Sequence, residues 1–259
     1  MHTDPAGERD AVEPPNVRIY LIASASHITG PMPPTSRTLG TFVGQAALNP
    51  LDTRPVVRSL FQAMDRWVTA NVAPPPSRHP RIANGTLVPR ERAGWPAIPG
   101  VHFPPPQLIA YRLDFGPNWS GGLVENEPPR IGAPFVVRVP AVDADGNDRA
   151  GIRLPEVAVP LATLWGWNYR DAGTGAPEHL ASEVGSYLPF PRTRVERQRT
   201  GDPRRSIEER YPSKGSYLAR ITAVANQLAA ERYVLARDVP VLVTRASEHW
   251  DWATKSDPR

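Results

Sequence analysis

The residue best placed to do chemistry in this sequence is His27. It follows directly on the run Asn16–Ser24, NVRIYLIAS. Val17, Ile19, Tyr20, Leu21 and Ile22 make that run a short buried strand by composition. The stretch after it, 25–50, carries Gly30, Pro31, Pro33, Pro34 and Gly40 and reads as a long loop. A strand end fixes the backbone while the loop exposes the imidazole. A general base needs that arrangement to reach both a nucleophile and an orienting carboxylate. The chemistry would be acyl or ester transfer through a serine. The simpler alternative is a histidine with a surface or structural role.

The nucleophile is missing from the pattern. There is no G-x-S-x-G: Gly185-Ser186 and Gly215-Ser216 lack the second glycine, and Ser120-Gly121-Gly122 lacks the first. Ser24 and Ser26 lie too close to His27 in sequence to form an elbow serine. Asp4 and Asp10 could offer a carboxylate ahead of the strand, though solvating their loop is the simpler role. The run Asp143-Ala-Asp-Gly-Asn-Asp148 looks like a calcium loop, but its glycine falls at the fourth position and Leu154 occupies the twelfth, so a hairpin turn is expected. Histidines 2, 79, 102, 179 and 249 show no zinc-binding spacing. No Walker or G-x-G-x-x-G motif is present, so no cofactor is expected. Cysteine is absent, which removes disulfides, thiolate metal sites and a cysteine nucleophile together.

The elements that must position these residues are short. Proline, with 32 residues in 259, breaks helices and leaves central strands, so long ordered loops are expected. The clearest helix runs from Thr53 to Val72. Its stripe of Val56, Val57, Leu60, Phe61, Met64, Trp67, Val68 and Val72 predicts burial worth on the order of 10 kcal/mol before entropy. Asp52 is the expected N-cap and Pro55 suits the first turn. Two further helices are expected, Ser213 to Leu235 and Asp238 to Trp252. Strands are expected at Gly85–Val88, Leu108–Phe115, Phe135–Val142 and Ala150–Leu154, the last two flanking the acidic turn. Trp165, Trp167 and Tyr169 alternate, giving one aromatic face for core packing or for the wall of a substrate pocket.

The charge is +4 with a pI near 9.7. Between Arg192 and Lys214 eight basic and four acidic residues stand together, so this one segment carries an excess equal to that of the whole chain. A solvated mixed-charge surface accounts for it; a phosphate-binding or nucleic-acid patch is the sharper alternative. No run approaches the length of a membrane helix, and the polar opening MHTDPAGERDAVEPP is not a signal peptide. A cytoplasmic location is the default expectation, with no membrane partner.

Several segments together carry a resemblance: VRIYLIASASH, NPLDTRPVVRSLFQAMDRWV, PPPSRHPRIANGTLVP, VPAVDADGNDRAGIRLPEVAVPLATLWGWNYR and GSYLPFPRTRVERQRTGDPRRSIEERYPSKGSYLAR. The chain resembles bacterial proteins called alpha/beta hydrolase domain-containing, of the group designated alpha/beta hydrolase domain 10, and it matches the C-terminal part of those longer proteins. The resemblance implies an α/β fold of mixed helix and strand. Residues 1–76 would be the end of the hydrolase core (strand, histidine loop, helix), and 77–259 a proline-rich C-terminal region packed on it, with a hairpin and terminal helices. It implies ester or acyl hydrolysis by a serine-type mechanism in the intact protein, on a small-molecule ester or acyl substrate. His27 would be the triad histidine, and the serine would lie outside this chain. The chain alone would then be inactive and could pair with a complementary fragment or with itself. A non-enzymatic binding module built on the aromatic segment is the alternative, and nucleic-acid binding through 192–214 a more distant one.

Overall fold

The computed structural model describes residues 3–40, 42–105, 109–181 and 183–255. In chain order the elements are β1 (Thr38–Leu39), β2 (Phe42–Val43), β3 (Ala47–Leu48), α1 (Arg54–Ala70), β4 (Leu87–Val88), β5 (Tyr111–Asp114), β6 (Arg130–Pro134), β7 (Val139–Pro140), α2 (Pro155–Ala158), β8 (Ala162–Trp165), β9 (Ser186–Pro189), α3 (Arg194–Thr200), α4 (Ile207–Arg210), α5 (Lys214–Ala230) and α6 (Val239–Thr254). The result is a mixed helix and strand fold with long ordered connections, as the proline content demands. Among the described residues every ladder is antiparallel: β1 with β2, β4 with β7, β5 with β6, and the three-stranded order β3-β9-β8.

The Asn16–Ser24 run forms no ladder. It is extended chain held by single parallel bridges on both edges, Tyr20 to Arg78 and Ile22 to Ile152. Leu21 N–H donates to the Arg78 carbonyl, and Ala23 N–H to that of Ile152. The expected strand is therefore corrected to two bridges. Its backbone groups are paired nonetheless, so it is not the open edge that an isolated strand would be.

Two adjoining apolar clusters form the core. One joins Leu51, Val56, Ile152, Leu154, Leu164 and Tyr187 to Leu228 and Leu242 of the terminal helices. The other gathers Leu161, Phe190, Ile207, Tyr211, Tyr217 and Ile221. Helix α5 begins at the expected Ser213, whose side chain accepts from Ser216 N–H. Its residues Tyr217, Ile221, Ala225 and Leu228 are buried.

Helix α1 forms where expected but buries only part of its apolar stripe. Pro55 occupies its first turn, and Asn71, left-handed at φ 53°, ends it as its N–H and that of Val72 donate back to the Trp67 and Arg66 carbonyls. The N-cap is Thr53, not Asp52; the Asp52 carboxylate instead accepts from Arg54 N–H and the Arg54 guanidinium. The buried face is the narrow line Pro55, Val56 and Ser59, with Ser59 Oγ donating to the Arg232 carbonyl and Arg58 paired to Asp238. Of the predicted stripe, Val56 is buried, Leu60 packs half-buried against the core and Trp67 and Val72 are half-buried, while four members are exposed: Val57 51%, Phe61 79%, Met64 56% and Val68 74%. Most of the expected 10 kcal/mol is therefore not realised within this chain. Phe61→Glu and Val68→Glu will each change the unfolding free energy by less than about 0.5 kcal/mol, as surface sites do. Val56→Ala will cost about 2 kcal/mol. Urea titrations of the three variants check this, and equal losses at all three positions would contradict the observed facing.

The remaining expected strands shorten. Gly85–Val88 reduces to β4. The strand expected at Leu108–Phe115 is β5, and Leu108 lies outside the described residues. Phe135–Val142 reduces to β7, with β6 preceding it, and Ala150–Leu154 to the bridge at Ile152. The acidic turn does reverse the chain: Val142 bridges Asp148 antiparallel, and Arg149 N–H donates to the Ala141 carbonyl.

Candidate functional site

His27 lies in a bend between the Ile22–Ile152 and Ile28–Val184 bridges, and its ring is exposed to solvent. Among the described residues no hydrogen bond or ion pair engages it. The two nearby serines are tied elsewhere. Ser26 Oγ donates to the Ile28 carbonyl at 2.8 Å. Ser24 Oγ accepts from Asp148 N–H at 2.9 Å, while Ser24 N–H donates to Asp148 Oδ2 at 2.7 Å. This reciprocal pair, together with the bond from Asn49 Nδ2 to the Ser24 carbonyl, holds Ser24 buried in the left-handed region at φ 57°. It is a structural clamp across a separation of more than a hundred residues. Asp4 and Asp10 do not approach His27 either. Asp4 accepts from Glu8 and Arg9 N–H in its own loop, and Asp10 accepts from Ile82 and Ala83 N–H.

Two residues before His27, Ala25 joins the wall of a cavity of about 330 Å³. Trp95, Phe103, Trp165 and Trp167 supply its aromatic lining, with Arg90 and Asp148 as the charged members. The rings brace one another: Trp95 stacks on Phe103 at 5.3 Å between centroids, meets Trp165 edge-on at 5.5 Å and lies 5.6 Å from Trp167. The Arg90 guanidinium lies 5.0 Å from the Phe103 ring centroid and donates to the Phe103 and Pro104 carbonyls. A second, smaller cavity of about 160 Å³ uses Trp165 and Trp167 together with Tyr169 and His102. Trp165 ends β8 and lines both cavities, while Trp167 and Tyr169 lie beyond the strand, so the single aromatic strand face expected over 165–169 is not formed.

The positions are set by buried amides. Asn147 Nδ2 donates to the Ala162 carbonyl and its Oδ1 accepts from Leu164 N–H, so one side chain replaces a neighbouring strand along β8. Asn49 Nδ2 donates to the Trp165 carbonyl, and Asn168 Nδ2 to the Gly185 carbonyl. Gly185 permits this closeness, since a Cβ there would stand 2.3 Å from the Trp165 carbonyl oxygen. Burial pushes the Asp148 carboxyl above the ordinary carboxylate range, with the Ser24 N–H acting against it. This places a carboxyl with weakened acidity at the edge of an aromatic cavity.

The other acidic-turn carboxylates diverge. Asp143 accepts from Asp145 and Asn147 N–H and pairs with Arg153, and Asp145 pairs with Arg210. They share no focus for a cation. Sequence reasoning missed a Ser, Glu, His cluster elsewhere: Ser77 Oγ donates to Glu13 Oε2, and His79 Nε2 lies 2.8 Å from Glu13 Oε1. The carboxylate stands between serine and histidine, and His79 Nδ1 faces the Pro80 carbonyl. This order cannot move a serine proton onto imidazole, so it is a tether for residues 13–19. The bond from His79, then that from Ser77, holds the Glu13 carboxyl below its ordinary range. Of the remaining histidines, His249 is buried against Tyr187, His179 is exposed beside Glu178, and His2 lies outside the described residues.

The basic segment 192–214 is largely neutralised internally. Arg192 pairs with Glu196, Arg197 with Glu209, Arg204 with Asp202, Arg210 with Asp145 and Lys214 with Asp251.

A family model described as "Alpha/beta hydrolase domain" matches residues 2–244. No curated protein and no solved structure matches the chain.

Proposed function

Since the chain belongs to the alpha/beta hydrolase domain family, we propose that it supplies the general base and the substrate pocket of a serine-type ester or acyl hydrolase. His27 is the base, and the Trp95–Trp165–Trp167 cavity seats an apolar or aromatic group of the substrate. The observation that carries this reading is the placement of His27: an exposed residue with no hydrogen-bond partner among the described residues, anchored by bridges on either side, two residues from the cavity wall. The hydroxyls of Ser24 and Ser26 are already bonded to backbone, so neither is a free nucleophile. The serine is supplied by a complementary segment, for which the exposed apolar face of α1 is the docking surface.

On this reading the 259-residue chain binds small aromatic esters without turning them over. Phenyl acetate will quench tryptophan fluorescence saturably, and Trp167→Ala will weaken that binding roughly tenfold. A fluorophosphonate probe will not label the chain. Fusion to the serine-bearing core of a longer member of the family will restore p-nitrophenyl ester hydrolysis, which His27→Ala will lower by about 10⁴-fold. Hydrolysis by the chain alone at a rate that survives His27→Ala would remove His27 from the mechanism. A pure binding module is the second reading, favoured by the same cavity. It is selected if the fusion binds ester and stays inert.

A further inference from the structure

A second cleft shares only the 143–148 turn with the aromatic cavity. It has a volume of about 350 Å³ and is lined by Asp143, Asp145, Arg153, Arg205, Arg210 and Arg220, with Val159 and Tyr211 on its apolar side. Four guanidiniums against two carboxylates leave an excess of two positive charges. The excess can be assigned to particular residues. Arg210 forks onto the Asp145 carboxylate and donates through Nε to the Arg205 carbonyl at 2.8 Å. Arg153 donates to Asp143 Oδ2 at 2.8 Å and to the Val157 carbonyl at 3.0 Å. These two pairs cancel in charge and fix the floor. Arg205 makes one bond, to the Glu209 carbonyl, and Arg220 lies over the Tyr211 ring at 5.5 Å. Among the described residues neither Arg205 nor Arg220 has a carboxylate partner.

The geometry points to a binding site for a small phosphate monoester. A monoester carries close to two negative charges at neutral pH and presents three acceptor oxygens. It therefore matches both the charge left over and the unused N–H donors of two guanidinium forks. The Val159–Tyr211 side receives the organic group. A polymer fits less well: nucleic acid needs an extended basic stripe, and the other arginines and the lysine of 192–214 are mostly consumed by internal ion pairs. The site is independent of the hydrolase reading and survives its failure.

Isothermal titration calorimetry in Tris at pH 7.5 tests the proposal with phenyl phosphate, inorganic phosphate, benzenesulfonate and a single-stranded oligonucleotide. Phenyl phosphate is expected to bind saturably, roughly tenfold or more tighter than the monoanionic sulfonate. Arg205→Gln and Arg220→Gln are each expected to weaken it roughly tenfold. Arg66→Gln on the exposed face of α1 leaves it unchanged, and circular dichroism confirms that the variants fold. Tighter binding of phenyl phosphate than of inorganic phosphate supports the apolar side as part of the site. Four results overturn the proposal: no saturable heat with phenyl phosphate, equal affinity for the sulfonate, binding that persists in the Arg205→Gln/Arg220→Gln double variant, or displacement of phenyl phosphate by the oligonucleotide at equimolar nucleotide.

Discussion

Asp202→Ala is expected to lower the unfolding free energy by about 3–5 kcal/mol, the largest effect of any single side chain outside the apolar core. Its partner, Arg204, is 1% exposed, and all five of its N–H groups are engaged. Nε and one Nη2 proton go to the Asp202 carboxylate at 2.9 and 2.6 Å. The others go to Thr163 Oγ1 and the Leu188 and Pro189 carbonyls. The guanidinium therefore caps the ends of β8 and β9. Removing the carboxylate leaves a full charge in the interior with only neutral acceptors. Urea titration reports the loss as a fall in midpoint at unchanged slope. The paired replacement Asp202→Leu with Arg204→Met should recover most of it, because an apolar pair carries no desolvation cost. Lys214→Ala, which breaks the solvent-exposed pair with Asp251, should cost less than about 1 kcal/mol. A similar small loss for Asp202→Ala would mean that water enters and solvates Arg204.

Arg204 also shows why the basic segment could be located in the sequence but not interpreted from it. Composition identifies eight cations between 192 and 214. It does not say that one is interior, four more are paired and Arg205 faces a cleft, because those outcomes depend on Asp145, Thr163 and Asp251 arriving from other parts of the fold. Elements whose limits are set locally were legible: Pro55 sits in the first turn of α1, and Ser213 begins α5. Strand extents were not. Runs such as Asn16–Ser24 have strand composition, but their partners are single residues of loops, and the pairing ends after one bridge. The α1 stripe is only partly covered for a related reason. An apolar stripe records that a face is suited to burial, not that this chain provides the cover.

The site was legible in parts. His27 and the Trp165–Trp167 pair stand out by type and spacing. Trp95, Phe103 and the Ser24–Asp148 clamp gave no signal, since their roles arise from approaches between residues far apart in sequence. The Asp143–Asp148 turn is the instructive case. Its sequence suggested a calcium loop or a hairpin. Its actual work is to send Asp148 to the aromatic cavity, Asn147 to β8, and Asp143 and Asp145 to the arginine cleft. One six-residue turn thus couples both proposed binding sites to the edge strand β8.

Acid will weaken the fold through a different group, His249 on α6. Burial, aided by Arg245, depresses its pKa from 6.5 to about 4. Its Nε2 meets the Tyr187 hydroxyl at 2.7 Å and its Nδ1 has no partner, so a second ring proton would face no acceptor. The folded state therefore binds fewer protons than the unfolded state between these two values. The neutral ring's contribution is complete above pH 6.5 and is lost as pH falls through 4, by about 3 kcal/mol in total. Glu156 on α2 acts with the opposite sign. Burial raises its carboxyl above 4.5, and its Oε2 has no partner, so stability is highest while it is protonated and declines as pH rises through the folded value. Above pH 4.5 the two groups therefore oppose one another, and single variants are needed to expose each one. His249→Gln, which cannot take up a proton, should flatten the arm from pH 6.5 to 4 while keeping a polar group beside Tyr187. Glu156→Gln should flatten the alkaline arm and raise stability at pH 8. Urea midpoints measured from pH 4 to 8 for the three proteins separate the arms. An acid arm of unchanged slope in His249→Gln would assign the acid sensitivity to the paired carboxylates instead.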